Sequence, residues 1–167
     1  MSEPPTVDRH SPNSSYDMGL ERGPANYVPL TPLSFLDRAA TVYPQRTAVV
    51  YGQRRMDYAA FRDRCRRLAA ALADAGVGQG DTVSALLPNI PEMLECHYGV
   101  PMTGAVLNAV NTRLDAASVA FFLQHARSKV FIADRGFAPV VRAALAELEE
   151  PPLLVEVDDP AHGGDSL

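Results

Sequence analysis

The sequence predicts an α/β fold, in which a mostly parallel β-sheet carries helices on both faces and an early β-hairpin precedes it. From residue 82 onward, short apolar runs alternate with patterns of helical period. Over Thr82–Asp134 this alternation makes a βαβαβ unit, because parallel strands need helical crossovers. Two strand-like runs separated only by Gly52-Gln53 predict the hairpin.

Helix signals frame the elements before residue 82. Thr31 is a capping residue, and Pro32 suits the first helical position because its missing N–H has no partner there anyway. Asp57 caps a second helix, and Gly76 supplies the left-handed residue that ends it. The predicted elements are, in order, a helix over 32–43, strands over 47–51 and 54–56, and a helix over 57–75.

The second half of the chain alternates regularly. Asn89 and Pro91 open one helix, and Asp115 opens another. The predicted strands are 83–87, 105–109, 129–133 and 153–157, and the predicted helices are 89–103, 115–126 and 137–148. The apolar stripe of the 115–126 helix is predicted to consist of Val119, Phe122, Leu123 and Ala126.

Length and composition bound the class of protein. The 167 residues fit one domain or part of a larger one, and the 47% hydrophobic content suffices for a core. A net charge of −5 argues against nucleic acid as a partner. The sequence has no apolar run long enough for a transmembrane span and no signal-peptide pattern at its start, so a cytoplasmic location is predicted.

The predicted organisation has three parts. Residues 1–24 are rich in proline and polar residues and are expected to form a mobile arm. Residues 25–158 form the folded body. Residues 159–167 are turn-rich and are expected to be an irregular tail.

Several residue patterns have structural interpretations that compete with functional ones. Gly76, Gly78 and Gly80 follow a helix and precede a strand, which is the reverse of a dinucleotide-binding loop, so they predict a tight turn. An arginine cluster on the second helix predicts a solvated face, with a docking surface for an anionic partner as the alternative. No nucleophile motif accompanies the histidines, and the two cysteines are too few for a metal knuckle. The cluster comprises Arg62, Arg64, Arg66 and Arg67, the histidines are His97 and His125, and the cysteines are Cys65 and Cys96.

Three side chains have a topological argument for contact with a ligand. Asn89, Asn111 and Arg113 directly follow predicted strands, and open α/β sheets bind ligands at the carboxyl ends of their strands. A capping or turn role is the competing interpretation of each. No catalytic residue and no metal ligand is predicted.

An ordered set of short motifs resembles the N-terminal region of the AMP-forming acyl-CoA synthetase family. The resemblance covers about residues 25–158, and the amino-acid sequence is most similar to the branch that activates fatty acids and short- or medium-chain acids. The motifs are Pro32–Leu36, Ala48–Gly52, Leu68–Leu72, Gly76–Asp81, Leu87–Asn89 with Pro91-Glu92, Gly104–Val106, Asn111–Leu114 and Lys129–Asp134.

The resemblance implies a two-step reaction of fatty acid metabolism. A carboxylate attacks the α-phosphate of ATP to give an acyl-adenylate and pyrophosphate, and the thiolate of coenzyme A then displaces AMP. ATP, Mg²⁺ and coenzyme A are thus implied for a full-length member, with a small-molecule carboxylate as substrate. The implied fold is an incomplete portion of a larger adenylate-forming N-terminal domain.

The departures from the family pattern are as informative as the match. The phosphate loop ending in Pro-Lys-Gly, the aromatic-x-Thr-Glu motif, the ribose-binding aspartate region and the small domain with the catalytic lysine do not occur in residues 1–167. The one lysine, Lys129, falls in a predicted strand. We therefore expect an N-terminal segment of a fatty acid–CoA ligase, from a truncated gene or an incomplete gene prediction, that is inactive alone and lacks its downstream half. The alternative is a non-catalytic α/β binding module that pairs with a separate partner.

Overall fold

The computed structural model describes residues 27–28 and 30–159. The predicted arm 1–24 lies outside the described residues, as do residues 160–167 of the predicted tail. The body described below belongs to the compact unit that begins at Pro32. Its elements are α1 (Pro32–Val42), β1 (Thr47–Tyr51), β2 (Arg54–Asp57), α2 (Tyr58–Asp74), β3 (Thr82–Leu86), α3 (Pro91–Met102), β4 (Val106–Ala109), α4 (Ala116–His125), β5 (Ser128–Asp134), α5 (Ala138–Ala146) and β6 (Leu153–Val157).

The four strands β3 to β6 form a wholly parallel sheet in the order β4-β3-β5-β6. Strands β1 and β2 form a separate antiparallel hairpin around Gly52. The predicted fold class is confirmed, including the early hairpin.

Helices cover both faces of the sheet. Side chains alternate across a strand, so Val83 and Ala85 of β3 lie in one apolar cluster with α2 and α3. Leu86 of β3 and Phe131 of β5 lie in a second cluster with α4 and α5. A strand buried on both faces is the reason for the unbroken apolar runs that the sequence shows.

A third cluster joins the hairpin and α1 to the outer side of α2. Leu36, Phe61 and Cys65 are its buried members, and Met56 of β2 packs against them. Phe61 also meets the ring of Tyr98 on α3 edge to face, with 5.4 Å between the ring centroids. The helix α2 therefore contacts both the sheet layer and the hairpin layer.

The helix ends predicted at Asp57, Asp115 and Gly76 are confirmed. Asp57 accepts a hydrogen bond of 2.8 Å from the Ala60 N–H, and Asp115 accepts one of 2.9 Å from the Ser118 N–H. Gly76 has a φ of 81° just past the end of α2.

Two expectations for the second half differ from the structure. One α-helix was predicted over 137–148, whereas the structure has a 3₁₀ turn over Arg135–Phe137 and then α5 over Ala138–Ala146. The Asp134 side chain caps the 3₁₀ turn, which starts the helical segment before residue 137. On α4, Phe122 is 41% exposed, and Ala120 takes the inner position in its place. With 100° between residues, positions 120 and 122 each lie about 80° from the centre of the stripe formed by Val119 and Leu123, so helical periodicity does not choose between them.

Over the residues that the structure describes, no helix combines the length and the apolar character needed to cross a membrane.

Candidate functional site

The strand order places a topological switch point at the carboxyl ends of β3 and β5. The chain runs outward from β3 to β4 on one side of the sheet and from β5 to β6 on the other. The helix α3, which follows β3, packs on one face, whereas α5, which follows β5, packs on the other. Adjacent strands whose connections diverge in this way leave a crevice between them, where open α/β sheets bind ligands.

Asn89 is the sequence candidate that borders this crevice. It is exposed in the connection between β3 and α3. The residue that precedes α3 is Ile90, and no side chain caps that helix, so the capping role considered for Asn89 is wrong. Its amide is not engaged by the helix that follows it.

Asn111 and Arg113 lie one strand further out. They follow β4, an edge strand next to β3, and both are exposed. The Asn111 Oδ1 accepts a hydrogen bond of 3.0 Å from the Arg113 N–H, which is the turn interaction expected from its side chain. The turn interpretation therefore accounts for Asn111.

Asp134 ends β5 on the other side of the crevice, and it was missed in the sequence. Its side chain is buried, and the Oδ1 atom accepts a hydrogen bond of 2.7 Å from the Gly136 N–H. The Oδ2 atom is buried without a hydrogen-bond partner among the described residues. A terminal Asp on a strand is indistinguishable in sequence from an ordinary helix cap, so no local signal could have selected it.

An apolar cleft opens between the hairpin and the start of α3. Its volume is about 280 Å³, which is small for a ligand site. Its lining is mostly apolar, so it fits a short apolar group better than a phosphate. The lining residues are Val49, Val50, Tyr51, Asn89, Ile90, Pro91, Met93, Leu94 and His97.

An ion-pair network fixes α3 to α2 and to the hairpin. Arg64 on α2 holds both oxygens of Glu95 and also approaches the Oε1 of Glu92 at 3.3 Å. Arg54 on β2 binds the same Oε1 at 2.8 Å. Glu95 is only 6% exposed, so a buried carboxylate depends on Arg64 for its counter-charge.

The network corrects the prediction of a uniformly solvated arginine face. Arg66 fits that prediction, because it is exposed and pairs with the exposed Asp37 at 3.2 Å. Arg64 does not, since its partner Glu95 lies 31 residues away and is buried. The spacing of residues in the sequence predicts ion pairs along one helix, but it does not predict ion pairs between two helices.

A tyrosine joins the hairpin to the end of β6. The Tyr51 hydroxyl donates a hydrogen bond of 2.6 Å to the Oδ2 of Asp159, which is buried. That hydrogen bond, with a smaller contribution from burial, raises the pKa of Tyr51 above its usual range.

We expect Tyr51→Phe to flatten the loss of stability at alkaline pH. In the folded chain the hydroxyl keeps its proton to a higher pH than in the unfolded chain, so its stabilising effect is complete below about pH 10 and is lost as the pH rises through the raised pKa. Urea midpoints should be measured at pH values of about 10 and above. With rising pH they should fall more steeply for the parent chain than for Tyr51→Phe. Tyr43→Phe, at an exposed ring, serves as the control. Parallel curves for parent and Tyr51→Phe would show that the hydrogen bond does not form in solution.

The amino-terminal edge of the sheet holds the lysine and the glycines. Lys129 Nζ pairs with Asp81 Oδ2 at 2.8 Å, and this hydrogen bond, together with one from the Gly78 N–H, lowers the pKa of Asp81. Gly76 and Gly80 have φ values of 81° and 84°. The structural interpretation of the glycines is supported, and Lys129 is engaged at the edge opposite to the switch point.

The remaining titratable candidates form no site. His97 is exposed on α3 and its Nδ1 lies 2.9 Å from the Met93 carbonyl oxygen, while His125 stacks on Phe121 at the surface. Burial raises the pKa of both Cys65 and Cys96 to about 12, which keeps the two thiols protonated and unreactive. Within the described residues, no group of three or more His, Cys, Asp or Glu side chains could hold a metal ion.

Residues 36–165 match the AMP-binding enzyme family. The chain belongs to this family. The resemblance found in the sequence is thereby confirmed. A peroxisomal acetate/butyrate–CoA ligase of Arabidopsis thaliana is 48% identical over 155 residues, which are 89% of this chain and 27% of the relative. A peroxisomal butyrate–CoA ligase of the same plant is 51% identical over 121 residues, which are 72% of this chain and 21% of the relative.

A solved AMP-binding relative shows the same fold. The fatty acyl CoA synthetase of Mycobacterium tuberculosis matches with a TM-score of 0.69 at 35% identity, covering 74% of this chain and 26% of that one. The chain thus spans roughly a fifth to a quarter of the length of the relatives it matches.

Proposed function

We propose that this chain forms the N-terminal part of the acyl-activating domain of a fatty acid–CoA ligase, in the branch that uses short- or medium-chain acids. The observation that carries the proposal is the family match over 36–165 together with relatives described as acetate/butyrate– and butyrate–CoA ligases. The reaction joins a carboxylate to AMP at the expense of ATP, with release of pyrophosphate, and then transfers the acyl group to coenzyme A.

We propose that residues 1–167 do not catalyse adenylation by themselves. When bound, Mg²⁺ neutralises charge on the phosphates of ATP. The described residues offer no cluster of carboxylates for this ion, and Lys129 pairs with Asp81 at the far edge of the sheet. The part of the site that this chain supplies consists of the carboxyl ends of β3 and β5 at the switch point and the helix α3 beside them.

Asn89 has the best case among the three candidate ligand contacts. It borders the switch point and makes no cap, whereas Asn111 is engaged in a turn and Arg113 follows an edge strand. In an active full-length enzyme, Asn89→Ala should raise the KM for one of the three substrates, which are ATP, the carboxylate and coenzyme A. Asn111→Ala is the matched control and should leave all three KM values unchanged.

A chimera tests the function. Residues 25–158, the proposed folded body, would replace the corresponding region of the Arabidopsis acetate/butyrate–CoA ligase. We expect carboxylate-dependent ATP–pyrophosphate exchange by the chimera and none by the isolated chain. The plant enzyme without its N-terminal region is the control.

Each arm has an outcome that contradicts one part of the proposal. Exchange by the isolated chain would show that adenylation needs nothing outside these residues. A chimera that folds but does not exchange would instead favour the non-catalytic binding module.

The cytoplasm is the proposed location. The two buried thiols, free in the structure, suit a reducing compartment. The two plant relatives are described as peroxisomal, so fluorescence microscopy of the tagged full-length gene product decides between the two compartments.

A further inference from the structure

The outward side of α1 exposes apolar and cationic side chains together. Phe35 and Val42 are 60% and 54% exposed, and Arg38 lies between them on the same side of the helix. Just past the helix, the ring of Tyr43 is 54% exposed and carries the Arg46 guanidinium 5.2 Å above its centroid. We call Phe35, Arg38, Val42, Tyr43 and Arg46 the α1 surface.

The charge around the α1 surface is strongly positive although the whole chain is acidic. Residues 32–67 carry eight arginines and three aspartates, whereas residues 134–159 carry two arginines and seven acidic residues. The one carboxylate on α1 itself, Asp37, is paired with Arg66 at 3.2 Å. Arg54 and Arg64 are paired with Glu92 and Glu95 of α3, so they add little to this charge. The remaining arginines still form a basic layer over α1, the hairpin and α2, in a chain whose net charge is −5.

We propose that the α1 surface docks this protein on an anionic lipid bilayer. Arginines attract anionic headgroups, and Phe35, Val42 and the Tyr43 ring suit the boundary between headgroups and acyl chains, where amphipathic surfaces lie. An acidic protein partner is the alternative, and it would be attracted by the arginines alone, whereas a bilayer boundary also accounts for the exposure of Phe35 and Val42 beside them. The helix lies on the membrane and does not cross it, and the proposal is independent of the acyl-activating function.

A second exposed aromatic patch supplies the contrast. Phe121 and Phe122 on α4 are 59% and 41% exposed, on the opposite face of the sheet. Within the described residues neither ring has an arginine stacked over it, and α4 itself contains no arginine or lysine; the nearest along the chain are Arg113 and Arg127. Exposed aromatic area alone is therefore present at both patches, and only the α1 surface combines it with positive charge.

The test measures co-sedimentation of the full 167-residue chain with vesicles of phosphatidylcholine, with and without phosphatidylglycerol. We expect binding only when phosphatidylglycerol is present, and we expect it to weaken as salt is added. Arg38→Glu should weaken binding on the order of tenfold, and the pair Phe35→Ala with Val42→Ala should do the same.

Matched controls carry the same chemistry elsewhere. Arg142→Glu changes the net charge equally on the exposed side of α5, and Phe121→Ala removes an equally exposed ring from α4, so both should bind as the parent does. Circular dichroism checks that every variant stays folded. Equal binding to vesicles without phosphatidylglycerol, or an equal loss in Phe121→Ala, would overturn the proposal. Loss in Arg38→Glu with full binding by the Phe35 and Val42 variant would overturn it in favour of an acidic protein partner.

Discussion

Replacing Arg64 with alanine is expected to destabilise the fold by about 2 to 3 kcal/mol. Glu95 is 6% exposed and accepts two hydrogen bonds from this one guanidinium, so the variant leaves a buried carboxylate without a counter-charge. The value lies at or below the low end of the range for buried pairs because the Arg64 side chain is itself 37% exposed. Urea unfolding followed by circular dichroism measures it as a lower midpoint at unchanged slope.

Arg66→Ala is the matched control on the same helix. Arg66 and Asp37 are 57% and 51% exposed, so their pair should contribute no more than about 0.5 kcal/mol. Adding Glu95→Gln to Arg64→Ala should recover part of the loss, because a neutral amide is cheaper to bury than a carboxylate. Equal midpoints for Arg64→Ala and Arg66→Ala would mean that Glu95 is solvated in solution and that the network is not structural.

Replacing Gly99 with valine is expected to cost about 3 kcal/mol. Gly99 is a buried position of α3 at which that helix closely approaches α2. A Cβ built there would lie 2.9 Å from Leu68 Cδ2 and 3.0 Å from the Cys65 carbonyl oxygen. The leucine can shift, but the backbone oxygen cannot, so α3 has to move away from α2. The start of α3 borders the cleft and carries Glu92, and we expect both to be displaced with it.

A graded series separates the steric effect from helix propensity. Gly99→Ala adds only the Cβ, and alanine gains about 1 kcal/mol of propensity over glycine in a helix, so its net cost should be the smaller of the two. Ala71→Val, at an exposed position of α2, measures the propensity cost of valine alone and should stay near 0.5 kcal/mol. If Gly99→Val unfolds at the same urea concentration as Ala71→Val, the close approach of the two helices does not persist in solution.

Much of the fold was predictable because its signals are local. Asp57 and Asp115 cap the helices that they were expected to cap, and the apolar runs became the four parallel strands with end residues shifted by one at most positions. Where prediction failed, as at Phe122, two positions on one helical turn were both apolar, and only packing against α5 and the sheet selects between them.

The candidate site was less predictable. Asn89 was placed correctly at the carboxyl end of a strand, but whether that strand lies at the switch point depends on the order β4-β3-β5-β6. The burial of Asp134 and Glu95 gave no sequence signal, because nothing local in a sequence distinguishes a buried acidic side chain from an exposed one. Their burial follows from neighbours that are distant along the chain, as with Arg64 and Glu95.

The sequence by itself determined the alternation of strands and helices, the caps, the early hairpin and the resemblance to acyl-activating enzymes, because periodicity, capping and turn chemistry act over a few residues and motif order is carried by the chain. The tertiary structure alone decided the strand order, the divergence of α3 and α5 at β3 and β5, the pairing of Arg64 with Glu95 and the close approach at Gly99. Those features arise from contacts between segments far apart in sequence, and the free energy of such contacts depends on burial, which exists only once the layers have packed together.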